Sequence, residues 1–361
     1  MFHYALPVDL TAWAFGGGGQ TQFTWQYDAG REALSALYDK SKLQQWNATN
    51  RIDWRHDLDP DNPMLLDDRA IPIHGTGLWE RLSERDKSQV RHHHQAYTVS
   101  QFLHGEQGAL IAAARIVECV PQMDAKLYAA TQVMDEARHV EIFTVLLRDK
   151  IGLAYPISSN LKAVLEQGLS DARWDVVYLT MQVLIEGLAL AAFQRYRDFS
   201  RDALISSINA YIMQDEARHV AFGRLALEGY YAELTAAERD ERQEFLLEGC
   251  CEMLKRFDQM EVWEKLGLPL EECRRATAES IAMRQFREQM LGRVVPTLKH
   301  IGLWGDVIEN GLNKLGLDTS KFQNGDDRLA DDERIAADFD TASRRRFAHI
   351  AERLARARPS G

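Results

Sequence analysis

The sequence predicts an all-α protein built on a bundle of four long helices with additional helices around it. Three observations carry this expectation. No segment shows the period-two alternation of a half-buried strand. Apolar residues recur at helical spacing through long stretches that open on Ser, Thr or Asp and stop at Gly or Pro. The pentapeptide Asp-Glu-Ala-Arg-His also occurs twice within such stretches, at residues 135–139 and 215–219, offset by 80 residues.

Residues 1–80 are rich in Gly, Pro and Asp, so this N-terminal extension is expected to be mostly loop with one short amphipathic helix near residues 33–46. The glycine run at 16–19 is followed by no Lys-Ser/Thr and preceded by no strand, which favours a flexible connector over a phosphate-binding loop. Residues 81–320 form the helical domain. Ser83 with Asp86 reads as a capping box opening a helix to about residue 118, ahead of Pro121. A second helix spans about 122–150, before Gly152 and Pro156. A third spans 172–199 with Asp171 as its N-cap, and a fourth 202–234. Thr235 with Glu238 opens a fifth, to about residue 266 before Gly267 and Pro269, and shorter helices fill 270–315. Residues 321–361 form a tail with an acidic block followed by an arginine-rich one, a solvated segment or a docking segment for a partner.

Composition narrows the function classes. At 45% hydrophobic and 27% charged residues the chain is globular rather than disordered. A net charge of −11 argues against a nucleic-acid partner. Cys119, Cys250, Cys251 and Cys273 show neither a disulfide framework nor metal-site spacing and read as thiols of a reducing compartment. No stretch approaches the ~20 apolar residues of a membrane span, and no basic segment followed by an apolar one opens the chain. A cytoplasmic protein without membrane association is expected.

The repeat carries the chemistry. The 80-residue offset also places Glu106 on Glu186, each 30 residues before the Glu of its pentapeptide. Glu136 and His139, like Glu216 and His219, stand three residues apart on one helical face. Glu186 interrupts the otherwise apolar or glycine stretch 183–193, and Glu106 lies in the small, apolar stretch 105–114. An unpaired buried carboxylate costs several kcal/mol or changes its protonation, and a cation is the simplest remedy. Four Glu and two His form the ligand set for a pair of iron ions inside a helical bundle, and four carboxylates balance two divalent ions. Asp135 and Asp215 are expected to accept the other ring N–H of His219 and His139 respectively, with Arg138 and Arg218 neutralising them. His92, His93 and His94 are expected at an exposed rim, because consecutive helical residues point in different directions.

With these residues the chain resembles the ferritin-like di-iron carboxylate proteins, over about residues 85–235 and more loosely to 315. The resemblance implies Glu106, Glu136, His139, Glu186, Glu216 and His219 as metal ligands, the four glutamates as the catalytic carboxylates, and a ferritin-like four-helix bundle. It is closest in pattern to the oxygen-activating branch, which includes multicomponent monooxygenases, acyl-carrier-protein desaturases, ribonucleotide reductase small subunits and arylamine N-oxygenases. Three marker positions depart from it. Phe143 stands where the ribonucleotide reductase subunit has its radical tyrosine, Leu190 where the monooxygenases have a threonine, and Ile212 where the arylamine N-oxygenases have an extra histidine. These departures detach the chain from those three branches. They leave an apolar open side in which Phe102, Leu110, Ala113, Phe143, Ala189, Leu190 and Phe193 line a pocket with little polar recognition.

The resulting expectation is a non-haem enzyme with two Fe ions per chain, or a Mn/Fe or Mn/Mn pair. It would use O₂ to hydroxylate, N-oxygenate or desaturate a small, largely apolar organic substrate. A ferredoxin or flavoprotein reductase would supply electrons, and a homodimer is what the family implies. The rival expectations are a radical-generating subunit like that of ribonucleotide reductase, and an iron-storage or peroxide-detoxifying protein.

Overall fold

The computed structural model describes residues 2–8, 12–17, 20–28 and 30–322, with Arg334 and Thr341 beyond them. The acidic and arginine-rich blocks expected in the tail therefore lie outside the described residues. Among those described there is no strand, and the only β-type pairing is an isolated bridge between Tyr4 and Ala154.

The N-terminal segment holds α1 (Glu32–Leu43), α2 (Ala48–Arg51) and α3 (Gly77–Arg81). The bundle begins with α4 (Glu84–Cys119), whose first turn is closed by the reciprocal Ser83 and Asp86 bonds. The chain turns extended at Val120, the residue before Pro121, and α5 (Met123–Val145) follows at once. Helix α5 runs on through a π-helical stretch, Leu146–Ile151, and stops at Gly152, which takes a φ of 75°. The three-residue link from α4 to α5 makes them antiparallel neighbours.

Helix α6 (Ser159–Ser170), capped by Ser158, has no counterpart in the sequence expectation. Asp171 consequently ends α6 instead of starting the next helix. Its Oδ1 accepts from the Arg173 amide at 2.8 Å, and α7 (Trp174–Tyr178) starts after that turn. A π-helical stretch, Leu179–Ile185, carries α7 without a break into α8 (Glu186–Phe199). Asp202 then caps α9 (Ala203–Leu227), whose end at Gly229 (φ 77°) falls several residues short of the expected one. Trp174–Phe199 is long and apolar enough by composition to cross a membrane, contrary to the expectation that no stretch comes close. Its most apolar window is 94% buried inside the protein, so this apolarity belongs to the core.

Helices α4 and α5 pack together along their length, as do α8 and α9, and α5 touches α9 between the two pairs. Helix α1 lies across α5 and α9. The helix opened by the Thr235–Glu238 capping box does not reach residue 266: α10 (Ala236–Arg256) stops, and α11 (Met260–Lys265) restarts after Gln259, which takes φ 50°. Helices α12 (Leu270–Glu279), α13 (Ile281–His300) and α14 (Asp306–Lys314) complete the outer layer, with α13 against α8. One continuous apolar core links the bundle to these additions.

Candidate metal centre

Each bundle helix carries part of one cluster. Helix α4 supplies Glu106 and α5 supplies Glu136 and His139; α8 supplies Glu186, and α9 supplies Glu216 and His219. Their ligand atoms form two overlapping sets: Glu106, Glu136, His139 and Glu216, then Glu136, Glu186, Glu216 and His219. Within each set the atoms lie no more than 4.8 Å apart. Glu136 and Glu216 belong to both and stand between the two positions. His139 Nδ1 is 3.3 Å from Glu106 Oε2 and 3.1 Å from Glu216 Oε1. His219 Nδ1 is 3.1 Å from both Glu136 Oε1 and Glu216 Oε2, and 4.0 Å from Glu186 Oε1. All six side chains are buried.

The donor set fits a pair of cations. Glu136 Oε2 and Glu216 Oε1 are buried and accept no hydrogen bond, an arrangement that is costly unless an ion takes up the lone pairs. Without metal, protons must do that work. Burial pushes the Glu106 and Glu186 carboxyls well above their usual range, and neighbouring carboxylates add to this. Burial also acts against ionised Glu136, but the imidazoles of His219 and His139 overcome it and hold Glu136 well below. His139 and His219 are raised well above the ordinary imidazole value against the effect of burial, because carboxylates surround them. Metal binding would displace these protons.

A second layer orients the imidazoles. His139 Nε2 lies 3.1 Å from Asp215 Oδ2, and His219 Nε2 lies 3.3 Å from Asp135 Oδ2. A carboxylate at Nε2 keeps the ring proton there and leaves Nδ1 as the ligand atom. Arg138 bonds to Asp135 and, at 2.8 Å, to Asp215. Arg218 bonds to Asp215 and stands 3.6 Å from Asp135. Sequence reasoning missed the belt outside these groups. Gln45 Nε2 donates to Asp135 at 2.7 Å, Trp46 Nε1 donates to Asp215 at 2.8 Å, and Gln44 Oε1 accepts from Arg218 at 2.8 Å. These residues sit at the end of α1, far away in sequence, and nothing local marks them.

Sequence reasoning also missed Gln132 and Gln182, both fully buried. Gln132 Nε2 donates to Glu136 Oε1 at 2.9 Å and to Glu186 Oε1 at 3.2 Å, while Gln182 Nε2 donates to Gln132 Oε1 at 2.8 Å. A signal existed: Gln132 lies one turn before Glu136 on the ligand face, and Gln182 interrupts an apolar run.

A cavity reaches Glu106 and Glu186, and of the seven expected lining residues Phe102, Ala189 and Phe193 border it. Leu110, Ala113, Phe143 and Leu190 do not. The cavity approaches α4 on its Phe102, Gly105 and Ala109 side, while Phe143 packs its ring on Phe102 and Phe193 at 5.7 and 5.9 Å. The lining is also less apolar than expected, because Gln101 and Arg256 join it. His93 and His94 are buried instead of lying on a rim. His93 Nδ1 meets the Tyr155 hydroxyl at 2.7 Å and His94 Nδ1 meets Gln259 Oε1 at 2.6 Å. With no carboxylate beside them, burial lowers both to about 4, the opposite of its outcome at His139 and His219.

The sequence model of the family described as p-aminobenzoate N-oxygenase AurF matches residues 28–302. No curated protein matches the chain. Among solved structures, a point mutant of an R2-like ligand-binding oxidase with aerobically reconstituted Mn/Fe cofactor is 18% identical. That match covers 77% of this chain and 96% of the other, at a TM-score of 0.46. The same kind of oxidase after photoconversion is 16% identical, covering 76% and 94%, at a TM-score of 0.45. The family match runs through Ile212, which overturns the expectation that this residue detaches the chain from the arylamine N-oxygenases. The chain belongs to the p-aminobenzoate N-oxygenase AurF family, di-iron oxidoreductases with a ferritin-like helical fold.

Proposed function

We propose that Glu106, Glu136, His139, Glu186, Glu216 and His219 hold two metal ions, and that the protein uses O₂ there to oxidise a small organic substrate admitted through the adjoining cavity. The supporting observation is the pair of overlapping ligand sets, sharing Glu136 and Glu216, with one histidine and one further glutamate at each end. The bound ions would supply the redox chemistry of O₂. The chain supplies the rest. Glu136 and Glu216, common to both sets, would serve both ions, and each has an oxygen that no hydrogen bond restrains. Asp135 and Asp215 fix the imidazole tautomers, Arg138 and Arg218 pair with both aspartates, and, against the effect of burial, Arg218, His139 and Arg138 hold the Asp215 carboxyl well below its usual range. Phe102, Ala189 and Phe193 keep water from the face that the cavity approaches.

The family is named for N-oxygenation of p-aminobenzoate, and an aromatic amine is therefore the first substrate to offer this enzyme. Iron is the first metal to test, and a Mn/Fe or Mn/Mn pair would use the same ligands. The reading includes a ferredoxin or flavoprotein reductase as electron source, a homodimer and a cytoplasmic location. Anaerobic iron titration tests the centre: the wild type should saturate near two ions per chain and Glu136→Ala should not. Two ions retained by a Glu136→Ala/Glu216→Ala double variant would sink the assignment.

A further inference from the structure

We infer that a chain of touching aromatic rings, Tyr128, Phe222, Tyr178 and Trp174, carries single electrons from the protein surface to the metal centre. It discharges the centre when O₂ has reacted there and no substrate has been oxidised, so that a thiol in solution is consumed instead. The inference rests on the proposed use of O₂ at that centre and adds a second outlet for the oxidising equivalents made there.

The chain of rings starts beside the ligands. Tyr128, Gln132 and Glu136 follow one another at four-residue intervals on one face of α5, and Gln132 Nε2 donates to Glu136 Oε1 at 2.9 Å. The Tyr128 phenol lies in the field of Arg218, Asp135, Asp215 and Glu136. From there the rings lead outward. The centroids of Tyr128 and Phe222 are 4.3 Å apart, those of Phe222 and Tyr178 5.3 Å, and those of Tyr178 and Trp174 5.7 Å. Trp174 opens the continuous helical run that later carries Glu186, about 18 Å further along the axis. Tyr128, Phe222 and Tyr178 are fully buried, whereas Trp174 and its ring neighbour Tyr230, at 4.7 Å, are only half-buried. The rings come from α5, α9 and α7, and none of them borders the cavity beside Glu106 and Glu186.

Aromatic rings fill cores without any redox role, so contact between them is not enough. The hydroxyls carry the argument further. Those of Tyr128 and Tyr178 are buried and bond to no protein group, a cost that phenylalanine in the same space would avoid. What a phenol adds to the ring is easier one-electron oxidation. Phe222 holds no charge of its own and bridges the two tyrosines it touches. Trp174 is the final donor, because its half-buried indole can release the N–H proton to water as the electron leaves. The balance closes with a thiol as reductant. O₂ draws two electrons from two ferrous ions and two more through the rings, one at a time. Each of the latter leaves Trp174 as a neutral radical. A thiol returns one hydrogen atom to each radical, and the two sulfur radicals couple to a disulfide. O₂ takes up four protons, two of them in exchange for those released at Trp174, and ends as two waters.

The test mixes the reduced, iron-loaded full chain with O₂ in the absence of substrate. Freeze-quenched wild type should show an organic radical by electron paramagnetic resonance, and ring-deuterated tryptophan should change its hyperfine pattern. Trp174→Phe should lose that signal. Reduced glutathione should shorten the life of the radical and be converted to its disulfide. Tyr178→Phe should form the disulfide about tenfold more slowly, since a benzene ring raises the barrier to the electron step. That substitution removes only a hydroxyl without a protein partner, so a packing role predicts no change, and it decides the matter should Trp174→Phe not fold. The absence of a tryptophan radical overturns the proposal, as does one that survives Trp174→Phe or an unchanged rate of disulfide formation in Tyr178→Phe. Iron and O₂ uptake measured in the same samples separate the two readings. Two ions per chain with O₂ consumed and no tryptophan radical rejects the ring chain alone. Fewer than two ions, or no uptake of O₂, rejects the metal assignment and the ring chain with it.

Discussion

In the first half of the repeat Glu106 stands on an unbroken α-helix, 3.3 Å from His139 Nδ1; in the second, Glu186 follows a π-helical stretch and lies 4.0 Å from His219 Nδ1. The 80-residue offset pairs Phe102 with Gln182, Gln132 with Ile212 and Phe143 with Gly223. Phe102 and Phe143 pack ring on ring at 5.7 Å. Their mates do something different. A Cβ on Gly223 would fall 2.5 Å from the Cβ of Gln182, so the missing side chain is what lets Gln182 sit there and donate to Gln132. The first half therefore carries two aromatic rings at these positions, while their mates in the second make room for Gln182, which donates to Gln132 of the first half; Gln132 in turn donates to Glu136 and Glu186. Duplicated ligands set what the centre can hold, and the residues that broke the symmetry set where a substrate can approach.

The largest test of this contrast is at the terminal ligands. Glu106→Ala and Glu186→Ala should each lower iron from two per chain to one. Glu186→Ala should in addition leave the Gln132 amide short of an acceptor and lower the unfolding midpoint further. Asp215→Asn should weaken binding of one ion by about 10–100-fold. Because Asp215 also accepts from Trp46, Arg138 and Arg218, it should cost more than Asp135→Asn by the same titration.

Outside the repeat, His94 shows what burial does without carboxylates. Its pKa of about 4 lies below the ordinary 6.5, so its contribution is complete above pH 6.5 and is lost as pH falls from 6.5 to 4. On the order of 3 kcal/mol is involved. Urea unfolding across that window should slope less steeply for His94→Gln than for the wild type. Equal slopes would show that His94 is charged in the folded state.

Two smaller effects address the amide pair. Gln132→Leu should cost about 1–3 kcal/mol by stranding Gln182 without its acceptor, and Gln132→Leu/Gln182→Leu should recover much of that. Additive losses in chemical denaturation would mean the two amides act independently. Gly223→Ala should cost about 1–3 kcal/mol by forcing Gln182 aside. If it leaves stability unchanged, the close approach is not a constraint.

The sequence by itself determined the helical class, the caps at Ser83 and Thr235, and the residues that converge on the centre. Each is written in local spacing: a cap needs three residues, and a Glu-x-x-His face needs four. It also marked Glu106 and Glu186, because a lone carboxylate in an apolar run is conspicuous. Family membership was legible at the level of the ferritin-like di-iron proteins, while Ile212 was over-read, since one position weighs little against a match over residues 28–302. Only the tertiary structure decided that Glu136 and Glu216 belong to both ligand sets, that Gln45 and Trp46 close the aspartate layer, and that α10 breaks to bring Arg256 to the cavity. These depend on contacts between residues many positions apart. The strain at Gln259 is stabilised by a bond to His94 from another helix, which no window along the chain contains.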